Sequence, residues 1–296
     1  MDVDSSCFHL HNESFIPIIT VIVSVLNCVN TIEQCLESVT KQTYPNKELI
    51  IVDGGSVDGT IDILKKYNSE ITYWNSEPDN GIYSAWNKGL KKVKGDWICF
   101  LGADDYFWEN DVLERMSIAL LKVPDNIKLV YGQVMLVNTK CENLYPVGEP
   151  WEKFKRLFFK GLCLPHQGVM HRYELFDQIG KFDESFRIGA DYELLLRELK
   201  SADAVFIPDI ILTGMRQGGL SSNPLNSIET MHEIRRAQKM HGYFYPSFYW
   251  IRALVRVHIK LFLWNSIGEE HTRKLLDLGR LIKKLPPYWT KTSNIC

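Results

Sequence analysis

Acidic side chains stand just after apolar, β-branched runs in the first third of the chain. They are Asp53, Asp79 and the adjacent pair Asp104 and Asp105. A single Asp after a strand usually forms a turn, because its carboxylate accepts hydrogen bonds from nearby backbone N–H groups. Two adjacent carboxylates repel each other unless a cation or strong donors compensate, and Mg²⁺ often binds one or two carboxylates together with substrate phosphates. The pattern therefore predicts a site for a divalent cation and a diphosphate.

A βα alternation beginning at Pro17 must position these carboxylates. The predicted strands cover residues 18–26, 48–52, 71–74 and 97–101, and the predicted helices cover 31–39, the segment from 57 to about 67, and 81–93. Thr31 and Gln34 have the spacing of a capping box. Right-handed crossovers place the carboxyl ends of the strands at one edge of the sheet, where open α/β folds bind ligands. The sequence thus predicts an α/β fold with a mostly parallel sheet and helices on both faces.

The second half of the chain is less regular. Strands are predicted at 129–137 and 204–208, and helices at 151–159, 172–179, 190–199, 226–241, 246–264 and 270–284. The predicted organisation is an N-terminal extension (1–16), a catalytic domain (17–222) and a C-terminal helical region (223–296). Within the catalytic domain, 17–105 is the expected nucleotide-binding half and 106–222 the expected acceptor-binding half.

Composition narrows the class of protein. The chain has 296 residues, 45% of them hydrophobic and 24% charged, with a net charge of −2, which argues against disorder and against a surface built to bind nucleic acid. Its seven cysteines form no C-x-x-C pair, so a reducing, cytoplasmic location is expected. Neither a signal peptide nor an apolar run of about 18 or more residues is visible.

Five segments together resemble the family 2 glycosyltransferases, including those that build bacterial surface polysaccharides. They are residues 17–27, 36–45, 48–60, 76–89 and 95–105, and the resemblance covers about residues 16–222. It implies a GT-A fold, a nucleotide-sugar donor, a divalent metal (Mn²⁺ or Mg²⁺) and inversion at the anomeric carbon. The C-terminal helices lie outside it.

The resemblance also implies roles for the strand-end residues. Asp53 should approach the nucleobase, Asp79 the base or ribose, and Asp104 the ribose or sugar, while Asp105 should bind the metal and Ser24 to Asn27 should line the nucleoside pocket. Two departures from the family pattern stand out. Ala103 occupies the first position of the usual Asp-x-Asp motif, and Ser24-Val25-Leu26-Asn27 replaces the commoner Pro-Thr-Tyr-Asn, which removes an aromatic ring from the base site.

Asp191 is the candidate general base, since the segment 187–197 resembles the acceptor-side acidic motif of the family. It opens a predicted helix, whose dipole favours the ionised carboxylate, and the alternative is that it only caps that helix. Glu193 is the competing carboxylate. His166 is either an acceptor contact or a structural histidine. Arg216 and Ser221 lie in a Gly-rich loop that either faces a diphosphate or is a plain turn.

The segment 243–264 combines many aromatic residues with Arg252, Arg256 and Lys260 at helical spacing. Such a helix could lie on an anionic membrane surface with its aromatic rings at headgroup depth. A helix packed on the catalytic domain and a homodimer interface are the alternatives. Membrane contact would put the protein at the inner face of the cytoplasmic membrane.

These features predict an inverting, metal-dependent hexosyl- or N-acetylhexosaminyltransferase. The expected donor is a UDP-sugar, and the expected acceptor is a glycan or a lipid-linked glycan such as a polyprenyl-linked sugar. One alternative is a sugar nucleotidyltransferase, which would need a basic loop where residues 24–34 hold no Lys or Arg. Another is a non-catalytic nucleotide-sugar-binding or scaffold protein, which would not need Asp191.

Overall fold

The strands predicted in the first third form the parallel part of a sheet. They are β1 (Ile19–Val25), β2 (Lys47–Asp53), β3 (Tyr73–Ser76) and β4 (Trp97–Gly102), in the order β3-β2-β1-β4. The structure, a computed structural model, describes residues 16–219 and 226–291. Val25 pairs beside Asp53, and Ser24 pairs beside Gly102. The register therefore brings the predicted strand ends to one edge.

The other strands make the sheet mixed. They are β5 (Tyr106–Phe107), β6 (Leu129–Val137), β7 (Asn143–Val147), β8 (Val169–Arg172) and β9 (Val205–Arg216). β8 is antiparallel to β4 and to β6, whereas β9 is parallel to β6. The strand predicted at 204–208 is present but longer than expected, because β9 bulges around Pro208 and pairs with β6 again from Ile211. Proline lacks the N–H that a ladder needs, so the ladder breaks there and the chain continues.

Seven helices between 32 and 199 cover the sheet. They are α1 (Ile32–Thr40), α2 (Thr60–Lys66), α3 (Ile82–Leu90), α4 (Val112–Leu120), α5 (Trp151–Phe158), α6 (Glu174–Ile179) and α7 (Ala190–Leu199). Alternate residues of β1 face opposite cores: Ile22 packs with Trp86 on one side, and Val23 packs with Leu36 on the other. The predicted capping box is wrong, because the Thr31 hydroxyl bonds the carbonyl of Cys28 and Gln34 instead accepts from Arg216.

Two helices follow the sheet. α8 (Ser227–Met240) packs against α7, and α9 (Phe248–Ile282) packs against α8. The two predicted C-terminal helices are both present within α9, which is interrupted at Gly268, whose φ of 79° lies in the left-handed region. Within the described ranges, no helix combines the length and the apolar character that crossing a bilayer requires.

Substitution of Gly89 tests how tightly α3 packs on the sheet. Alanine is intrinsically better than glycine inside a helix by about 1 kcal/mol. However, a Cβ at Gly89 would lie 2.7 Å from Ile22 Cγ2, and overpacking a core typically costs about 1–3 kcal/mol. We expect Gly89→Ala to lower the free energy of unfolding by about 1 kcal/mol or more, measured by urea denaturation. Gly279→Ala is the matched control: no atom lies within 4 Å of the added Cβ, so it should stabilise the protein. Stabilisation by both changes would contradict the tight packing.

Candidate functional site

A cavity of about 120 Å³ lies at the carboxyl edge of the central strands. The described residues that line it include the following: Tyr83, Trp86, Gly102, Asp104, Asp105, His166, Gln167, Asp191, Arg216 and Gly219. The structure therefore brings together four residues that the sequence placed in a site, namely Asp104, Asp105, Asp191 and Arg216. They come from three segments: the acidic pair lies more than 80 residues before Asp191, and Arg216 follows on a later strand, so the tertiary fold joins them.

The carboxylates of Asp104 and Asp105 are held in a confined space. A Cβ at Gly102 would lie 2.8 Å from Asp104 Oδ1 and 2.9 Å from Asp105 Oδ2, so a larger residue there would force the carboxylates to move. Burial raises the pKa of Asp105 well above its ordinary value, and the neighbouring charge of Asp104 raises it further. Burial also raises the pKa of Asp104, against the lowering effect of Arg216. A positive charge placed beside these two carboxylates would therefore stabilise their ionised forms.

Arg216 closes the other side of the same pocket. Its backbone N–H donates to Asp105 Oδ1 at 2.9 Å, and its guanidinium reaches Gln34 Oε1 at 2.5 Å and Cys141 Sγ at 3.1 Å. Its buried Nε has no hydrogen-bond partner within the described part of the chain. An unused donor of a permanent cation at this edge suits an anionic ligand.

Asp191 stands at the start of α7, where it faces the cavity. Its Oδ1 accepts from the Tyr192 backbone N–H at 2.7 Å and lies 3.4 Å from the Tyr83 hydroxyl, which itself donates to the carbonyl of Ile188. Burial raises the pKa of Asp191 to about 6, and the charge of Glu233 adds to this effect. The alternative that Asp191 caps α7 is wrong, because the N-cap residue is Gly189 and no side chain caps the helix. A carboxyl with such a pKa is well suited to proton transfer near neutral pH.

The competing candidates are engaged elsewhere. Glu193 is buried, forms an ion pair with Arg197 at 2.9 Å and is hydrogen-bonded to His241 Nε2 at 2.8 Å. His166 lines the cavity, but its Nε2 lies 3.0 Å from His171 Nε2, and burial lowers the pKa of His166 to about 3. Glu193 is thus a structural residue, and His166 is a neutral part of the cavity wall.

Asp53 and Asp79 lie beside this cavity rather than in its wall. The buried Asp53 carboxylate accepts hydrogen bonds from the backbone N–H groups of Gly55 and Ser56, both at 2.9 Å, and from the hydroxyls of Ser56 and Ser76. The half-buried Asp79 carboxylate packs against Gly54, where a Cβ would lie 3.2 Å from its Oδ2. Asp53 organises the 54–56 loop, whereas Asp79 has a more accessible face.

The end of β1 is joined to the same loop. Asn27 has a φ of 51°, its backbone N–H donates to the Ser56 hydroxyl at 2.7 Å, and its Oδ1 accepts from Val57 N–H at 3.0 Å. Ser24 pairs between Val52 and Gly102 in the ladder. Both residues are therefore at the predicted edge. Ser221 lies outside the described residues.

The sequence did not single out three residues of this site. Tyr83 contacts Asp191, the Gln167 side chain hydrogen-bonds Asp105, and Glu233 accepts from the backbone N–H groups of Ile188 and Gly189. Tyr83 lies in the segment 76–89 that resembles the family, and Gln167 lies next to the candidate His166, so these positions were the available signal. No feature of the sequence indicated a role for Glu233, because this residue lies on α8, outside the range of the resemblance.

A divalent cation fits the residues present, provided that a ligand completes its coordination. Asp104 and Asp105 supply hard oxygen donors, and their mutual repulsion would be relieved by positive charge. Across residues 16–219 and 226–291, no group of three or more His, Cys, Asp or Glu residues is arranged to hold a metal. A cation held by these two carboxylates would take its remaining ligands from groups other than His, Cys, Asp and Glu side chains of this part of the chain.

The mixed sheet, with an acidic pair at its carboxyl edge and a third carboxylate, Asp191, in the wall of the same cavity, is that of a GT-A type glycosyltransferase fold. Residues 20–173 match the sequence family described as Glycosyl transferase family 2. The chain belongs to this family.

Relatives with assigned names agree with this. The chain is 31% identical over 211 residues to a "PGL/p-HBAD biosynthesis glycosyltransferase" of Mycobacterium bovis, covering 70% of this chain and 80% of the relative. It is 29% identical over 229 residues to an uncharacterised glycosyltransferase of Rickettsia typhi, covering 74% of this chain and 71% of the relative.

Solved structures show the same fold. The TarS 1-349 fragment of S. aureus in complex with UDP-GlcNAc superposes with a TM-score of 0.59 at 19% identity, covering 81% of this chain and 71% of that one. The mannosyltransferase PcManGT of Pyrobaculum calidifontis, in complex with GDP-Man and Mn²⁺, gives a TM-score of 0.60 at 18% identity, covering 94% and 84%.

Proposed function

We propose that this glycosyltransferase moves a hexosyl or N-acetylhexosaminyl group from a UDP-sugar to a hydroxyl of a glycan or lipid-linked glycan, with inversion. The observation that carries the proposal is that the Asp104–Asp105 pair, Asp191 and Arg216 line the same cavity. One side of this cavity suits a metal-bound diphosphate, and the other offers a base of raised pKa.

The donor side holds and orients the leaving group. Asp53, Asp79, Ser24 and Asn27 frame the place for the nucleoside, and Asp104 faces the ribose or sugar. Asp105 would hold Mn²⁺ or Mg²⁺, which when bound neutralises the charge that develops on the departing diphosphate. Arg216 adds a permanent positive charge at the same place, which favours a phosphate group beside it.

The acceptor side supplies the proton acceptor. Asp191 takes the proton from the acceptor hydroxyl as the oxygen attacks the anomeric carbon, while the bond from that carbon to the diphosphate oxygen breaks. Because attack and departure occur on opposite faces of the sugar, the configuration inverts. The Tyr192 N–H and the Tyr83 hydroxyl favour the ionised carboxylate.

A panel of nucleotide-sugars tests this function. The purified protein is incubated with each UDP-, GDP- and TDP-sugar plus Mn²⁺, with and without EDTA, and release of nucleoside diphosphate is measured. Slow release from one UDP-sugar that stops in EDTA is the expected result. If no donor releases nucleoside diphosphate, binding of UDP and GDP is measured by calorimetric titration. Absence of binding by either nucleotide would contradict the proposal.

The pH profile should reflect Asp191. Because the base acts in its ionised form and its pKa is about 6, turnover should fall about tenfold per pH unit below pH 6 and level off above it. Tyr83→Phe removes a hydroxyl that lowers this pKa, so the inflection should move to higher pH. Initial rates at saturating donor give the profile. A rate independent of pH between 5 and 7 would contradict a base at Asp191.

A membrane surface is the proposed contact of the C-terminal helix. Phe248, Ile251, Val255, Ile259 and Phe262 recur at helical spacing and are between 43% and 80% exposed, so this face of α9 is not packed on the catalytic domain. Residues 243–264 hold three basic and no acidic residues. An exposed apolar stripe with only positive charges beside it suits an anionic bilayer better than water.

The basic residues of this segment differ in their surroundings. Arg252 and Arg256 are exposed, as the predicted stripe requires. Lys260 instead turns inward, 5.3 Å from the Trp289 ring centre and 3.3 Å from the Ser227 hydroxyl, and burial lowers its pKa. The two arginines are therefore the residues that would meet lipid phosphates.

Vesicle binding tests this contact. A basic residue near an anionic surface contributes about 1 kcal/mol, so Arg252→Glu with Arg256→Glu should weaken binding to phosphatidylglycerol vesicles about 30-fold or more. The control is Lys91→Glu with Lys94→Glu, which makes the same charge change at exposed positions distant in sequence from α9. Co-sedimentation gives both affinities. Equal losses would show a nonspecific charge effect, and a concentration-dependent dimer without vesicle binding would favour the homodimer alternative.

A further inference from the structure

A second cavity, of about 700 Å³, adjoins the first. The two cavities share His166, Gln167, Ile188, Asp191 and Met215 in their walls. The larger one extends from Asp191 between α5, α8 and the segment after α9, which contributes Tyr288. A group bound there would therefore sit next to the proposed base, on the acceptor side. Its volume is that of an ordinary small-molecule site.

The wall of this larger cavity is mainly aliphatic and aromatic. Its apolar lining includes Leu136, Phe154, Leu157, Leu162, Met215 and Ile234. These side chains come from the sheet, from α5 and its following loop, and from α8. Apolar groups of this kind gain by removing apolar ligand surface from water, at roughly 25 cal/mol per Å².

Most polar side chains at the wall already have partners. The Tyr288 hydroxyl donates to Gln217 Oε1 at 2.5 Å, the Thr230 hydroxyl donates to the Asn226 carbonyl at 2.9 Å, and the Tyr192 hydroxyl donates to the Phe158 carbonyl at 2.9 Å. Gln167 hydrogen-bonds Asp105. A saccharide buried here would leave hydroxyls without partners, and each such group costs about 1–3 kcal/mol on the scale of protein mutations.

The charges at the wall also exclude one class of ligand. Among the described residues that line it, there is no Lys or Arg, His166 is neutral at pH 7, and Glu149 and Asp191 are acidic. A phosphate or diphosphate in this cavity would meet negative charge with no counter-charge. A lipid attached through a diphosphate is therefore a poor fit for this particular space.

We propose that the larger cavity binds an uncharged apolar aglycone, an alkyl or aryl group attached to the accepting sugar or hydroxyl without an intervening phosphate. This inference rests on the proposed function, because it makes the cavity the acceptor site. It deepens that function by choosing neutral glycolipid-type acceptors over diphosphate-linked ones. Asp191 at the mouth then meets the hydroxyl, while the apolar group fills the space behind it.

Calorimetric titration with simple amphiphiles tests the inference. The probes are n-octyl β-D-glucoside below its micelle-forming concentration, methyl β-D-glucoside, and n-octyl phosphate. Each buried methylene adds about 0.8 kcal/mol, so octyl glucoside should bind at least about tenfold more tightly than methyl glucoside even with incomplete burial. Octyl phosphate should bind more weakly than octyl glucoside, because it carries a charge into an acidic site.

Variants locate the binding. Leu157→Asn and Leu162→Trp make the cavity polar and smaller, respectively, and each should weaken octyl glucoside binding about fivefold or more. Leu121→Asn is the matched control, at a 54% exposed leucine outside the cavity. Phe248→Ser with Phe262→Ser removes exposed rings of α9 and should leave binding unchanged. The melting temperature of each variant is measured in parallel to check that the variant is folded.

The possible results distinguish a failure of this inference from a failure of the proposed glycosyltransferase function. Normal UDP binding with no preference for octyl glucoside, or equal affinity for octyl phosphate, would overturn the aglycone site alone. Binding that is lost only in the α9 variant would also overturn it, since the probe would then sit on the exposed helix. Octyl glucoside binding without any nucleotide binding would overturn the proposed function and, with it, the acceptor assignment.

Discussion

Asp191→Asn is expected to lower turnover by a factor of about 10²–10⁴, the usual contribution of a positioned general base. Asparagine cannot accept the proton, yet its Oδ1 can still accept the hydrogen bond from the Tyr192 backbone N–H. The shape of the cavity should therefore persist. UDP affinity in the presence of Mn²⁺ should change by less than about threefold, which is under 1 kcal/mol. Rates of nucleoside diphosphate release and calorimetric titration measure the two effects.

Asp177→Asn is the matched control for this substitution. Asp177 is an exposed carboxylate on α6, away from both cavities, so the same chemical change should leave turnover unaltered. If Asp191→Asn kept more than about a tenth of the wild-type rate, another group would have to be the base. If it abolished nucleotide binding as well, Asp191 would belong to the donor site.

Asp105→Asn is expected to remove the dependence of nucleotide binding on Mn²⁺. A metal contributes several kcal/mol of charge stabilisation to a reaction of this kind, so turnover should fall by about 10² or more. The measurement is UDP titration with Mn²⁺ and with EDTA, in parallel with donor turnover. In wild type the two titrations should differ, and in the variant they should coincide.

A stability measurement separates this effect from misfolding. Burial and the charge of Asp104 both disfavour ionised Asp105, so replacing it should not lower the melting temperature in EDTA. The backbone N–H of Arg216 keeps an oxygen acceptor at the same place. Asp111→Asn, at a half-exposed carboxylate that immediately precedes α4, controls for the chemical change. An unchanged Mn²⁺ dependence in Asp105→Asn would exclude Asp105 as the ligand.

The sequence by itself determined the parallel part of the sheet and the strand-end carboxylates. Short runs rich in β-branched residues and bounded by turn residues indicate strands, and right-handed crossovers bring the carboxyl ends of parallel strands to one edge. For this reason Asp53, Asp79, Asp104 and Asp105 could be assigned to that edge without coordinates. The GT-A class followed from motifs on the same strands, and the fold confirms it.

Tertiary structure decided what each carboxylate can do. Glu193 and Asp191 stand two positions apart on one helix, yet Glu193 meets Arg197 and His241 whereas Asp191 faces the cavity. Similarly, Asp53 is enclosed by hydrogen bonds from its own loop, while Asp105 is left crowded and short of positive charge. Local spacing does not reveal His241 beside Glu193 or Arg216 beside Asp105, because these partners come from segments distant in the chain.

The larger cavity and the exposed face of α9 show the same limit. Leu157, Met215 and Ile234 each have an ordinary core-like pattern in the sequence, and only the packing of three separate elements leaves a space between them. The stripe on α9 was visible as a pattern, but a buried and an exposed apolar face have the same spacing. Whether such a face meets the protein interior or the solvent depends on the whole fold, because burial is a property of the assembled structure and not of the local sequence.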